Sequence, residues 1–221
     1  TQFFLLVQPQ FVEKAMAEVE DIAEATGTPL ECFVLVEGDI TLPKLGIPDA
    51  DLETMQHEVT DVFHLAAAYD LAVPKDLAFR VNYEGTKNVN DFVHTVRRLH
   101  RYNYISTCYV AGKREGHILE TELEHNAGFR NFYEETKYLA EAEVEKLKPT
   151  RPVTIFRPSV VVGDSQTGET SKYDGIYYLI NYLRRAPQIL RVLNVGNDKV
   201  RLNLVPVDFV VDGIAALSKD K

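Results

Sequence analysis

Residues 102–112 read Tyr-Asn-Tyr-Ile-Ser-Thr-Cys-Tyr-Val-Ala-Gly, and residues 131–137 read Asn-Phe-Tyr-Glu-Glu-Thr-Lys. The first stretch opens as a short apolar strand over Tyr102 to Thr107, ending in two hydroxyls, Ser106 and Thr107. The second leads into a run of good helix formers, Tyr133 to Leu147. In a helix, Tyr133 and Lys137 stand four apart and share a face. A hydroxyl-tipped strand, a loop, and a helix opening on a phenol and an ammonium form half of a crossover unit. The groups at its loop end are proton-transfer groups.

The same alternation runs outward in both directions. Strands are predicted over Phe3 to Val7, Cys32 to Val36, Val59 to Ala68, Val153 to Phe156 and Leu202 to Val205. Helices are predicted from Pro9 to Thr26, Asp49 to His57, Lys75 to His100, Tyr173 to Arg185 and Val207 to Ser218. Gly27 stands just past the first helix, and Pro187 is expected to end the fifth. Strands alternating with helices predict an α/β fold, a doubly wound parallel sheet with helices on both faces. Strands that read as continuous apolar runs fit burial on both faces. In such sheets ligands bind outside the carboxyl ends of the strands. Gly38-Asp39, Ala66-Ala67-Ala68, Ser106-Thr107 and Pro158-Ser159 are therefore expected along one edge, facing one crevice.

The 221 residues suffice for one well-buried domain, 1–221. Apolar residues are 45% and charged residues 26%, as in soluble globular proteins. The net charge of -9 argues against nucleic acid and anionic membranes as main partners. Two cysteines, Cys32 and Cys108, make neither a disulfide framework nor a metal cluster. No signal peptide and no membrane-spanning run is legible, and a cytoplasmic location is expected. The chain starts Thr1-Gln2-Phe3, already inside a strand, which reads as a piece of a larger protein. Oligomeric state leaves no trace in the sequence.

Tyr-x-x-x-Lys occurs three times, at Tyr83/Lys87, Tyr109/Lys113 and Tyr133/Lys137, so the spacing alone decides nothing. Tyr109/Lys113 spans Gly112 and Tyr83/Lys87 lies far from the crevice edge. Only Tyr133/Lys137 follows a hydroxyl-tipped strand. His64 reads as a satisfied core histidine and Cys108 as a structural thiol. Glu120, Glu122 and Glu124 read as a solvated loop, because no His or Cys spacing supports a metal. Tyr173, Tyr177 and Tyr178 read as packing residues or as part of a substrate wall.

The chain resembles the extended short-chain dehydrogenase/reductase family, of Rossmann type. Within it, the nearest likeness is to the thioester-reductase and fatty-acyl-reductase branch. The stretches that carry the likeness are Gly38-Asp39-Ile40 with Pro43 and Gly46, Val62-Phe63-His64-Leu65-Ala66-Ala67, and Arg80-Val81-Asn82-Tyr83-Glu84-Gly85-Thr86. Ser106-Thr107 with Val110 and Gly112, Tyr133/Lys137, Arg157-Pro158-Ser159 with Gly163-Asp164-Ser165-Gln166-Thr167-Gly168, and Val205-Pro206-Val207-Asp208 complete the set. The resemblance implies an NAD(P)H-dependent oxidoreductase that reduces an acyl thioester or related carbonyl, on a small-molecule or carrier-bound substrate. Tyr133 would be the general acid, and Lys137 would lower its pKa and hold the cofactor ribose. Thr107 would bond the substrate carbonyl, with Ser106 as its alternative. Asn82 would support the site. Asp39 and Ile40 would flank the adenine, Ala66, Ala67 and Ala68 would admit the cofactor closely, and Pro158 and Ser159 would border the nicotinamide. Two other readings are a nucleotide-sugar epimerase, dehydratase or hydroxysteroid-type dehydrogenase, and a non-catalytic dinucleotide-responsive module or inactive fragment.

The sequence departs from that family at the cofactor's phosphates. The family opens on a strand and a Gly-rich turn at a helix amino terminus. The 12 glycines here include no such run, and Phe3 to Val7 matches the family's second strand. The first strand, expected near the sheet's centre, and most of the carboxy-terminal substrate region have no counterpart in this stretch. Gln8 occupies the place where an acidic residue favours NAD and an Arg favours NADP. NADP(H) is favoured because the resembling branch reduces, and NAD(H) is the alternative. The 221-residue chain is expected to bind dinucleotide weakly or not at all. A fluorescence titration with NADPH at micromolar protein should show no saturation, and a tight isotherm would contradict this.

Overall fold

The chain is described from a computed structural model, which covers residues 1–170, 173, 175–185 and 202–219. β1 (Phe3–Val7) and β2 (Phe33–Glu37) pair in parallel, Phe3 beside Phe33 and Val7 beside Glu37. The connecting helix, α1 (Val12–Thr26), is preceded by a single 3-10 turn, Pro9–Phe11. The predicted helix thus starts three residues late. Proline tolerates the first turn because its missing N–H is an orphan there. Gly27 closes α1 at φ 67°, a left-handed conformation that costs glycine nothing.

A second parallel sheet runs in the order β3 (Asp61–His64), β4 (Arg101–Ile105), β5 (Val153–Phe156). α2 (Asp49–Glu58) leads into it, and α5 (Phe132–Glu145) crosses from β4 to β5. The segment predicted as one helix from Lys75 to His100 is broken into three. It comprises α3 (Lys75–Ala78), a π-helical turn over Phe79–Glu84, and α4 (Gly85–Thr95). Val96 is already extended, so the helix ends before His100. The strand predicted to reach Ala68 stops at His64, because the backbone of Ala68 bonds a side chain instead of a neighbouring strand.

One apolar core joins the two sheets. Val36, Leu45, Leu52 and Met55 pack with Val89, Phe92 and Val93 of α4. The cluster continues through Tyr102 and Tyr104 of β4 to Ala140 and Val144 of α5. Tyr102, Tyr104, Val93 and Val144 are among its fully buried side chains. The sheets share this core without sharing a hydrogen-bonded ladder. Among the described residues, β1 has no strand partner beyond β2 and β3 none beyond β4.

Residues Pro158–Lys221 group as a second unit, apart from Thr1–Arg157. In it β6 (Val160–Val162) pairs in parallel with β7 (Leu204–Pro206), and α7 (Val207–Leu217) follows at once. The last strand lies two residues beyond its predicted start at Leu202. Asp164 shapes the Gly-containing turn by accepting from the amides of Gln166 and Thr167, both at 2.8 Å. Ser165 donates its amide to Asp208 at 3.0 Å. α6 (Ile176–Arg185) is the remaining helix of this unit, and its predicted terminator Pro187 lies outside the described residues. Among the described residues no helix is long and apolar enough to cross a membrane.

A buried ion pair locks the first unit. Glu141 on α5 is fully buried, and Arg157, after β5, donates Nε to it at 2.9 Å and a second N–H alongside. Breaking such a pair from one side strands a charge in the interior and costs about 3–5 kcal/mol. Arg157→Leu should therefore lower unfolding free energy by about that amount in urea titrations. A single variant within about 1 kcal/mol of wild type would refute the assignment.

Candidate active site

α5 starts where it does because its first turn is capped from both sides. Asn131 accepts from the Glu134 amide at 2.9 Å, and the Glu134 carboxylate accepts from the Arg130 amide at 2.9 Å. Glu134 is buried in doing so. This resembles a capping box, shifted by one residue. It sets Tyr133 in the first turn and Lys137 one turn on.

β4 brings the hydroxyls. Its ladder continues one residue past Ile105, where the Ser106 amide donates to Phe156 O at 2.7 Å. Thr107 is extended and accepts from the Tyr109 amide at 3.2 Å, which opens a 3-10 turn over Cys108–Ala111. The two hydroxyls then part. Ser106 Oγ donates to the buried Glu141 carboxylate, and the Thr107 hydroxyl lies beside the Tyr133 phenol. Burial pushes the Tyr133 phenol above its ordinary value, and the nearby Thr107 hydroxyl opposes that shift. The lowering expected from Lys137 is not among its causes. As it stands, Tyr133 holds its proton firmly at neutral pH.

Lys137 is only 3% exposed. Its Nζ donates to Tyr104 Oη at 2.9 Å and to Ile105 O at 2.8 Å, and lies 4.4 Å from the Tyr104 ring centre. Burial pulls its pKa down to about 7, with Glu141 opposing. Burial and the Lys137 charge together take His64 down to about 3, so that its ring is neutral. Its Nε2 lies 3.0 Å from Thr86 Oγ1, as a satisfied core histidine requires.

Asn82 sits in the π-helical turn, 1% exposed, and ties two segments together. Its amide Nδ2 donates to Ala68 O and to Thr136 Oγ1, each at 3.0 Å, and Oδ1 accepts from the Ala68 amide at 2.7 Å. The loop after β3 is thereby hung on α5. Ala66 is exposed and Ala67 half-buried, and the backbone of Ala68 is spent on Asn82.

Asp39 lies after β2, where its carboxylate accepts from the Thr41 amide and from Gln8 Nε2, both at 2.7 Å. Burial acts to raise its pKa, and these hydrogen bonds with the nearby Arg80 outweigh it, leaving it below the usual range. Leu45 takes a left-handed φ of 60°, rare outside glycine, and its carbonyl receives the Asp39 amide at 2.7 Å. Asn88 of α4 donates to Ile40 O at 2.7 Å. Pro158 and Ser159 fall in the second unit, where Ser159 donates to Asn203 O.

Of the two competing Tyr/Lys pairs, one is engaged elsewhere and the other is not helical. Tyr83 donates to Glu143 at 3.3 Å, and Lys87 pairs with Glu84 at 2.9 Å. Gly112, at φ 60° and ψ -133°, breaks helical geometry between Tyr109 and Lys113. In the second unit, Tyr177 spends its hydroxyl on the Gly163 amide at 2.7 Å. Sequence reading named Gln8, Thr86, Tyr104 and Arg157 without these partners, and it passed over Glu141. Glu141 carried a signal, since it continues the Tyr133/Lys137 helical face by four more residues.

The family model described as Male sterility protein matches residues 1–214. The chain is 26% identical to "Fatty acyl-CoA reductase wat" of Drosophila melanogaster, over 99% of this chain and 49% of the fly protein. It thus spans about half the length of that relative. Among solved structures it is similar to the terminal R domain from the myxalamid PKS-NRPS biosynthetic pathway. The TM-score there is 0.82 at 24% identity, covering 100% of this chain and 56% of that one. A thiolation-reductase di-domain from an archaeal non-ribosomal peptide synthetase gives a TM-score of 0.75 at 22% identity, covering 98% and 60%. These structural likenesses establish the fold as Rossmann type.

Proposed function

The chain belongs to the Male sterility protein family, an NAD-binding family of the extended short-chain dehydrogenase/reductase type, and on that footing we propose that it is the catalytic part of an NADPH-dependent acyl-thioester reductase. The observation that carries the reading is the Thr107–Tyr133 hydroxyl pair at the carboxyl end of β4, with Lys137 one turn further along α5. The fly relative is named as an acyl-CoA reductase, and the similar R domain and di-domain come from synthetase pathways. A carrier-bound or coenzyme A thioester is the substrate class that suits both.

The donor set fits a dinucleotide at two places. Asp39, already gathering Gln8 and Thr41, offers carboxylate oxygens near the ends of β1 and β2. Lys137 offers a donor for a ribose hydroxyl. No Gly-rich turn for the pyrophosphate occurs among the 221 residues. When bound, the cofactor supplies hydride to the substrate's carbonyl carbon. The chain's own residues handle the oxygen. The Thr107 hydroxyl orients it, and Tyr133 Oη gives it a proton as negative charge develops there. A phenol held in its protonated form suits a donor.

In the full-length protein, NADPH oxidation at 340 nm with a long-chain acyl-CoA or an acyl carrier thioester should fall roughly 100- to 10,000-fold on Tyr133→Phe. Thr107→Val should lower it less. Turnover of Tyr133→Phe within threefold of wild type would overturn the reading. Oxidation of a sugar nucleotide in place of thioester reduction would favour an epimerase or dehydratase.

A further inference from the structure

The ammonium of Lys137 has three N–H donors and no lone pair. Two acceptors already face it from β4, Tyr104 Oη at 2.9 Å and Ile105 O at 2.8 Å. One donor is left for a ligand. The direction of that donor is set by what holds Tyr104 in place, and the surrounding hydrogen bonds can be assigned one by one.

Thr86 Oγ1 donates its single proton to Asn82 O at 2.7 Å. Toward its other neighbours it can only accept. His64 Nε2, at 3.0 Å, must therefore carry the ring proton. The Tyr104 ring packs against that of His64, their centres 5.5 Å apart. An ammonium has no lone pair, so Tyr104 Oη accepts from Lys137. Tyr104 is fully buried and cannot turn to solvent instead.

We propose that Tyr104, packed against His64, is a positioning residue for Lys137, which with the Ile105 carbonyl takes two N–H bonds and leaves the third for a ligand oxygen. The inference rests on the reductase reading for the identity of that ligand, a ribose hydroxyl. It needs nothing from that reading for the geometry. The charged and titratable groups around Lys137 are Glu141 and Tyr133 on its own helix, Tyr104 on β4 and His64 on β3. Among them Glu141 is already shared with Arg157 and Ser106. Tyr104 is the one whose loss removes an acceptor of the ammonium without removing a charge.

The test is an NMR titration of the full-length protein labelled with 13C at lysine Cε, with Lys137→Met assigning the resonance. One lysine should titrate near pH 7, far below the exposed ones at about 10.4. Tyr104→Phe should lower that midpoint by about one to two pH units, since a bond to the charged form is lost. 3-Fluorotyrosine at position 104 keeps ring and hydroxyl, so it guards against misfolding, and as a weaker acceptor it should shift the midpoint the same way. A Lys137 midpoint unmoved by both changes at position 104 overturns the proposal. Failure of the reductase reading would instead appear as turnover surviving Tyr133→Phe, with the Lys137 titration as expected here.

Discussion

A lysine placed in the interior has to find its hydrogen bonds there, and the first unit is built around that demand. An unpaired ammonium in a low-dielectric core is prohibitive. Lys137 meets it with a strand carbonyl and a phenol from β4, and with the carboxylate of Glu141 nearby. Glu141 is in turn buried, and it holds Arg157 beyond β5 and Ser106 beyond β4. One charge thus recruits the ends of two strands and the face of one helix. The residue left over at that junction, Thr107, lies beside Tyr133. Tyr133 is thus placed by a lattice whose energetic reason is the lysine behind it.

The same logic explains the irregular backbone around the site. A continuous helix from Lys75 would have carried Asn82 through on an α-helical course. The π-helical turn over Phe79–Glu84 is where Asn82 bonds both Ala68 and Thr136. π-turns inside helices concentrate at functional sites for this kind of reason. At Asp39, left-handed Leu45 supplies the carbonyl that holds the loop amide. Both irregularities fix backbone at the carboxyl ends of strands, where ligands bind in folds of this type.

Much of this was legible in the sequence because periodicity reports burial. The alternation of Phe3 to Val7, Cys32 to Val36 and Tyr102 to Thr107 with amphipathic runs gave parallel strands and crossover helices. Context singled out Tyr133/Lys137 over two pairs of equal spacing, of which Tyr83/Lys87 is engaged elsewhere and Tyr109/Lys113 is not helical. What escaped were pairings across the fold. Gln8 and Asp39 are 31 residues apart and meet only because β1 and β2 lie side by side. Tyr104 reads as an ordinary strand aromatic until Lys137 is found against it. Element ends were misplaced where a side chain displaced a ladder or helix bond, as Asn82 does at Ala68. The expected pKa lowering at Tyr133 failed for a related reason, since burial raises the phenol's pKa.

The most direct test of the account is a crystal structure of the full-length protein with NADPH bound. The account predicts the nicotinamide ribose against Lys137 Nζ, with the bonds to Tyr104 and Ile105 kept and the Tyr133 hydroxyl still beside Thr107. A dinucleotide bound away from the carboxyl end of β4, or a Lys137 turned out of its contact with Tyr104, would contradict it.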